Sequence, residues 1–140
     1  MPSRDIQDLH PILRIAYSKA IDAYKIKYPN DPQPFTTCTY RSEDEQNQLY
    51  NSKPKVTNAK GGESPHNYRP ALAFDIAFIG LNKKLDWNTK YFQNLADILK
   101  TIEPKVEWGG SWIKFKDAPH YQLKNWKSYL LPLAWYLLHL

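Results

Sequence analysis

The sequence is poor in several features, and each shortage removes a class of protein. Cys38 is the only cysteine in 140 residues, so no intramolecular disulfide is available and oxidation has no part in the design. No stretch reaches the ~20 consecutive apolar residues of a membrane-crossing helix. The opening Met1-Pro2-Ser3-Arg4-Asp5 lacks the apolar core of a secretory signal, which predicts synthesis in the cytoplasm. The formal charge of +5 favours anionic partners such as nucleic acid or an anionic cell-wall polymer. Because the lysines and arginines are spread along the chain rather than gathered into a stripe, nucleic acid is not an expected partner.

What remains is a globular composition. Hydrophobic residues make up 42% and charged residues 24%, enough apolar material to exclude disorder. The length suits one domain spanning residues 1–140 with a single core. Five tryptophans and ten tyrosines are many for this size; they serve a rigid core or line a groove for a flexible ligand.

Pro11 suits the first turn of a helix. Leu13, Ala16, Tyr17, Ala20, Ile21 and Tyr24 then recur at helical spacing until Pro29. Residues 30–34 read as a turn and Phe35–Tyr40 as a strand. Ser42 and Glu45 form a capping box that opens a short helix through Tyr50. Residues 51–63, with Gly61-Gly62 and no periodicity, read as a loop over a site. Leu72–Ile79 alternates: Leu72, Phe74, Ile76 and Phe78 share one face, and Asp75 lies among three alanines on the other. Tyr91–Ile102 is a second long helix with an apolar stripe. Lys105–Trp108 is a short strand, broken by Gly109-Gly110. Residues 129–140 are apolar apart from His139 and interrupted by Pro132; they are expected to pack on the core rather than enter a membrane.

Two imidazoles and one carboxylate are the protein ligands of a catalytic zinc that keeps a fourth position for water. His66, Asp75 and His120 supply such a set. Asp117 stands three residues before His120 as a general base for the water. Pro119 disfavours a helical Ala118 and removes a donor. The helical His-Glu-x-x-His arrangement is thus excluded, and an extended turn must lead into a strand where His120 and Gln122 share a face. Arg41, at the end of the Phe35–Tyr40 strand, can face a developing oxyanion. Spacing alone leaves plainer roles open: Asp75 as partner of a core arginine, Arg41 as a surface charge, Asp117 as a turn cap, Ser64 as a ligand contact or a cap. His10 and His139 read as exposed or hydrogen-bonded histidines.

Tyr40-Arg41-Ser42 with Glu45-Gln46 and Leu49-Tyr50, then Ser64-x-His66-Asn67-Tyr68 with Leu72-Ala73-Phe74-Asp75, then Trp108-Gly109-Gly110-x-Trp112-x-x-Phe115-x-Asp117-x-Pro119-His120-x-Gln122 resemble, in order, the three blocks of a zinc metallopeptidase family. That family comprises D-alanyl-D-alanine carboxypeptidases and L-alanyl-D-glutamate endopeptidases, and the blocks cover residues 35–122. The resemblance implies a hedgehog-like α+β fold, a small antiparallel sheet with helices packed on it. It also implies cleavage of peptidoglycan stem peptides with one Zn2+ on His66, Asp75 and His120. Asp117 and Arg41 would be catalytic, and Arg41, Ser64 and Trp108 substrate contacts. The short chain suggests a monomeric endolysin that is made in the cytoplasm and acts on the wall after release, with L-alanyl-D-glutamate as the expected bond. A D-alanyl-D-alanine carboxypeptidase is the alternative. One departure stands out: nine residues separate His66 from Asp75 where the family has seven, with Arg69-Pro70-Ala71 in the gap.

Two other classes compete. A wall-binding module that keeps the metal but not the chemistry has no need of a base at Asp117. A non-haem iron oxygenase also uses two His and one carboxylate, but it calls for a strand-rich scaffold and a close His-x-Asp pair that this chain lacks.

Overall fold

A computed structural model describes residues 1–130; the expectations for the apolar segment beyond Leu130, and for His139, lie outside the described residues. Three α-helices, α1 (Pro11–Lys27), α2 (Glu43–Tyr50) and α3 (Thr89–Ile102), accompany four strands, β1 (Gln33–Cys38), β2 (Ala73–Ile79), β3 (Val106–Trp108) and β4 (His120–Leu123). The strands form one antiparallel sheet in the order β1-β2-β4-β3. This is the expected α+β arrangement. Among the described residues no helix is long and apolar enough to cross a membrane.

The alternation of β2 decides which side of the sheet is the core. Phe74, Ile76 and Phe78 are fully buried and meet α1 and α3. Tyr17 packs on Phe74 at 4.9 Å between ring centroids, and Phe92 meets Phe78 edge-on at 4.8 Å. Phe74 lies opposite Tyr121 in the β2–β4 register, their rings stacked at 5.3 Å. The Tyr121 hydroxyl donates to the Phe92 carbonyl at 2.8 Å, tying the sheet to α3. The other face of the sheet is left for Asp75, His120 and Gln122.

Several boundaries differ from expectation for physical reasons. β1 runs from Gln33 rather than Phe35 and stops at Cys38. Pro34 is admitted because β1 is an edge strand, where a missing N–H leaves no ladder bond unmade. Thr39 and Tyr40 instead exchange backbone hydrogen bonds with Ser3 at 2.7 and 2.8 Å. α3 starts two residues before Tyr91, capped by Asn88, whose side chain accepts from the Lys90 N–H. His10 proves to be the N-cap of α1, accepting from the Ile12 N–H at 3.1 Å. The capping box of α2 is present in both directions.

Gly109 follows β3 and begins a 3-10 turn (Gly109–Ser111). A Cβ at that position would lie 2.4 Å from the Asp117 carbonyl oxygen and 3.2 Å from its Cβ. Two backbones touch here, which only glycine permits. Gly109→Ala is therefore expected to cost about 1–3 kcal/mol by overpacking, read as a lower melting temperature, and to displace the Asp117 turn with it.

Candidate active site

The site is assembled by strand register. Asp75 pairs with His120 across β2 and β4, so their side chains rise from the same face as immediate neighbours. His66 comes from a 3-10 turn (Pro65–Asn67) whose conformation is fixed by its own capping box. Ser64 accepts from the His66 N–H, and Asn67 Oδ1 accepts from the N–H groups of Ser64 and Gly62. Asn67 also donates to the Arg41 carbonyl at 2.9 Å, while the Arg41 N–H donates to the His66 carbonyl at 2.9 Å. The turn that presents His66 and the segment that presents Arg41 are thus bolted together by one backbone bond and one bond from the Asn67 side chain.

The donor atoms converge on one carboxylate oxygen. His66 Nε2 lies 3.3 Å, and His120 Nδ1 2.9 Å, from Asp75 Oδ1. The opposite ring edges are held by acceptors: Thr39 carbonyl at 2.8 Å from His66 Nδ1, and Gln122 Oε1 at 2.7 Å from His120 Nε2. An imidazole whose far N–H is so engaged turns a lone pair inward as its ligand atom. A tetrahedral zinc with ligand bonds of ~2.0–2.1 Å keeps its donor atoms roughly 3.3 Å apart, so these residues fit such an ion closely. The nine-residue gap between His66 and Asp75 does not separate them. Within it Ala71 is tied to the N-terminal segment: its N–H donates to the Asp8 carbonyl at 2.7 Å and its carbonyl accepts from the His10 N–H at 2.9 Å.

Cys38, Asp75 and His66 also bring ligand atoms within 4.8 Å of one another. The Cys38 thiol, however, faces His66 Nδ1 at 3.6 Å, the edge already turned to Thr39. A planar ring cannot offer both edges to one ion, so Cys38 backs His66 rather than joining the donors around Asp75. The sequence signal for this was the β1 position opposite Asp75, which needed the register to be known.

Arg41 is no surface charge. Its side chain is 16% exposed, and its guanidinium lies 3.7 Å from Asp75 Oδ2 and donates to Gln46 Oε1 at 3.0 Å. Gln46 is itself buried and donates to the Ala59 carbonyl at 2.8 Å, linking Arg41 to the 51–63 loop. Asp117 does not cap its turn with its side chain: the backbone closes it, Asp117 N–H to Gly109 and His120 N–H to Asp117. The carboxyl lines a cleft of about 330 Å³ together with Arg41, His66, Asp75, His120 and Trp112. Ser64 lines the cleft too, but its hydroxyl is committed to the turn. Trp108 does not reach it. In β3 Glu107 shares the site face and Trp108 the core face, where the indole N–H donates to the Ala118 carbonyl at 2.7 Å. The tryptophan on the cleft is Trp112, 5.5 Å from the His120 ring, because the 3-10 turn after Trp108 reorients the chain.

Electrostatics divide the two carboxyls. Burial would raise the Asp75 pKa, but the charges and hydrogen bonds of His66 and His120 outweigh it and hold the group well below the usual range. Burial likewise opposes a charge on His66, yet the carboxylate of Asp75 prevails and lifts its pKa to about 10. Asp117 is exposed at the cleft mouth, but its carboxyl stands over the buried floor. Lost hydration, helped by the charge of Asp75, raises its pKa against the opposing pull of His120, His66 and Arg41. For the metal-free protein the signs follow from linkage. The raised His66 pKa contributes stability that is complete below its unfolded value of 6.5 and is lost as pH climbs towards about 10. The lowered Asp75 pKa contributes above 3.8 and is lost as pH falls below it. Melting temperatures in chelator should therefore fall on both flanks, and Asp75→Asn should flatten the profile while lowering its maximum.

A family model described as D-alanyl-D-alanine carboxypeptidase, of the peptidase M15 group, matches residues 57–123. The peptidoglycan L-alanyl-D-glutamate endopeptidase CwlK of Bacillus subtilis is 36% identical over 131 residues, covering 83% of this chain and 74% of CwlK. Among solved structures, the L-Ala D-Glu endopeptidase ChiX of Serratia marcescens superposes with a TM-score of 0.63 at 20% identity, over 94% of this chain and 93% of ChiX. The vancomycin-resistance D,D-pentapeptidase VanY, solved in complex with Zn(II), gives 0.60 at 14% identity, over 82% of this chain and 72% of VanY. The two structures share the fold; the identity to CwlK across most of both chains carries the relationship. The chain belongs to the M15 family of peptidases.

Proposed function

We propose that this chain is a zinc-dependent peptidoglycan peptidase that hydrolyses the L-alanyl-D-glutamate bond of the stem peptide, with His66, Asp75 and His120 as zinc ligands. The observation that carries the reading is the convergence of His66 Nε2 and His120 Nδ1 on Asp75 Oδ1 at the floor of a cleft that also holds Asp117 and Arg41. When bound, zinc acidifies a water to a pKa of about 7 and polarises the scissile carbonyl. Asp117 takes the proton of the attacking water and returns it to the leaving amine, a role favoured by its raised pKa. Arg41, held in place by Gln46, faces the negative charge that develops on the carbonyl oxygen.

The choice of bond draws on the 36% identity to an enzyme named for L-alanyl-D-glutamate cleavage and on the course of the cleft. Beyond Asp117 the cleft continues into an open hollow of about 550 Å³ between Val56–Ala59 and Trp112–Lys116. Peptide can therefore extend past the reacting bond, as an endopeptidase requires. The family model carries the name of a D-alanyl-D-alanine carboxypeptidase, and that bond is the second reading. In the same reading the protein acts as an endolysin, its charge of +5 suiting anionic wall polymers.

Purified protein on peptidoglycan sacculi, with new termini identified by mass spectrometry, separates the possibilities. New amino-terminal D-glutamate supports the endopeptidase, and free D-alanine moves the assignment to the carboxypeptidase. Zinc uptake without any release leaves a binding module. Asp117→Ala should lower kcat by about 10²–10⁴-fold and Arg41→Ala by roughly 10²–10³-fold, both with zinc retained, and a chelator should abolish cleavage. Trp112→Ala, on the cleft wall, should raise KM several-fold more than it lowers kcat; an unchanged KM would remove Trp112 from the substrate path.

A further inference from the structure

Behind His120 lies a hydrogen-bonded chain that the chemistry above does not use. β4 alternates, so His120 and Gln122 share a face, and the β3–β4 register sets Glu107 opposite Gln122. His120 Nε2 meets Gln122 Oε1 at 2.7 Å, and Gln122 Nε2 donates to Glu107 Oε1 at 2.7 Å. Both His120 and Gln122 are buried, at 7% and 8% exposure, so water does little to weaken or replace these bonds.

The two ends of a glutamine amide have nearly the same shape but opposite hydrogen-bonding character. With its oxygen towards His120, Gln122 accepts from an Nε2–H and leaves the lone pair on Nδ1, the atom that faces Asp75 at 2.9 Å. With its NH2 towards His120, it would donate to Nε2 and move the ring proton to Nδ1. That proton would point at Asp75 Oδ1, which draws it while no cation is bound, and would close the site to a cation. Nothing in Gln122 itself selects between these states. Glu107 does, because a carboxylate only accepts. It draws the NH2 towards itself, and the reversed amide would set two oxygens face to face at a hydrogen-bonding distance in a buried place.

We propose that Glu107 is a positioning residue which, through the amide of Gln122, holds His120 as the Nε2–H tautomer and so presents Nδ1 to the metal. The inference rests on the zinc reading above. It assigns a role in metal affinity to a residue on a different strand, outside the donor set and outside the three sequence blocks.

The test uses the whole chain and two readouts besides activity: zinc affinity by competition with a chromogenic chelator, and the site of the His120 ring proton by 15N–1H NMR of the zinc-free protein at pH 8. Glu107→Gln lets the amide turn either way; it should weaken zinc binding by about 10–100-fold, the usual range for such outer partners, and shift proton density from Nε2 towards Nδ1. Gln122→Glu sets two carboxylates against each other and should weaken binding as well. The exchange Glu107→Gln with Gln122→Glu rebuilds the chain in reverse charge order, a carboxylate on the His120 N–H and an amide donating to it. It should return the affinity to within about threefold of wild type or better. Wild-type zinc affinity and an unmoved ring proton in Glu107→Gln would overturn the inference while leaving the zinc reading standing. If wild type takes up no zinc, the underlying reading fails first. If Glu107→Gln does not fold, the double exchange decides: restored affinity supports the inference, and a folded double variant as weak as Gln122→Glu overturns it.

Discussion

Everything in the site depends on the antiparallel pairing of β2 with β4, and on its register. Because Asp75 stands opposite His120, the same pairing sets Phe74 against Tyr121 on the reverse face, where the two rings stack. A slip of β4 by one residue would turn His120 into the core and bring the Tyr121 ring to the cleft beside Asp75. The register is therefore held by hydrophobic burial, a large and non-directional force, while the donors it aligns require placement within tenths of an ångström. The core buries Phe74, Ile76, Phe78, Tyr121 and Leu123 against α1 and α3, and the site receives its geometry as a consequence.

That division explains which features could be read from the sequence. The alternation of β2, with its one acid among alanines, and the extended turn enforced by Pro119 are local signals, and they delivered the placements of Asp75 and His120. The capping box at Ser42 and Glu45 is equally local, and both of its bonds are formed. What escaped depends on two segments meeting. Pro34 inside a strand is acceptable only at a sheet edge, and edge position is a property of the whole sheet. The partnership of Glu107 with Gln122 exists only once β3 lies beside β4. For Arg41 the sequence left an oxyanion partner and a plain surface charge both open, and its enclosure by Gln46 and Asp75 is visible only once those segments meet.

Trp108 and Trp112 illustrate the same limit at short range. Both flank the Gly109-Gly110 pair, and composition does not distinguish them. The period of two along β3 sends Trp108 to the core, since Val106 and Trp108 share the face opposite Glu107. The 3-10 turn then breaks the period, and the next tryptophan emerges on the cleft. The longer spacing between His66 and Asp75 carried no information about its shape; Asp8 and His10, far upstream, hold Ala71 within it through backbone hydrogen bonds.

The two carboxyls of the cleft show how surroundings divide labour between identical groups. Asp75 is enclosed by His66, His120 and Arg41, and its interactions with the two imidazoles override burial and keep it ionised. Asp117 has the same chemistry but is held by its backbone, between Gly109 and His120, with no cation in direct contact among the described residues. Lost hydration then dominates and raises its affinity for a proton. Opposite shifts on neighbouring acids separate the group that stays charged from the group that exchanges a proton. The separation does not require different residues. It requires that one acid sit where a strand register collects imidazoles around it, and that the other sit in a turn tight enough to need a glycine beneath it.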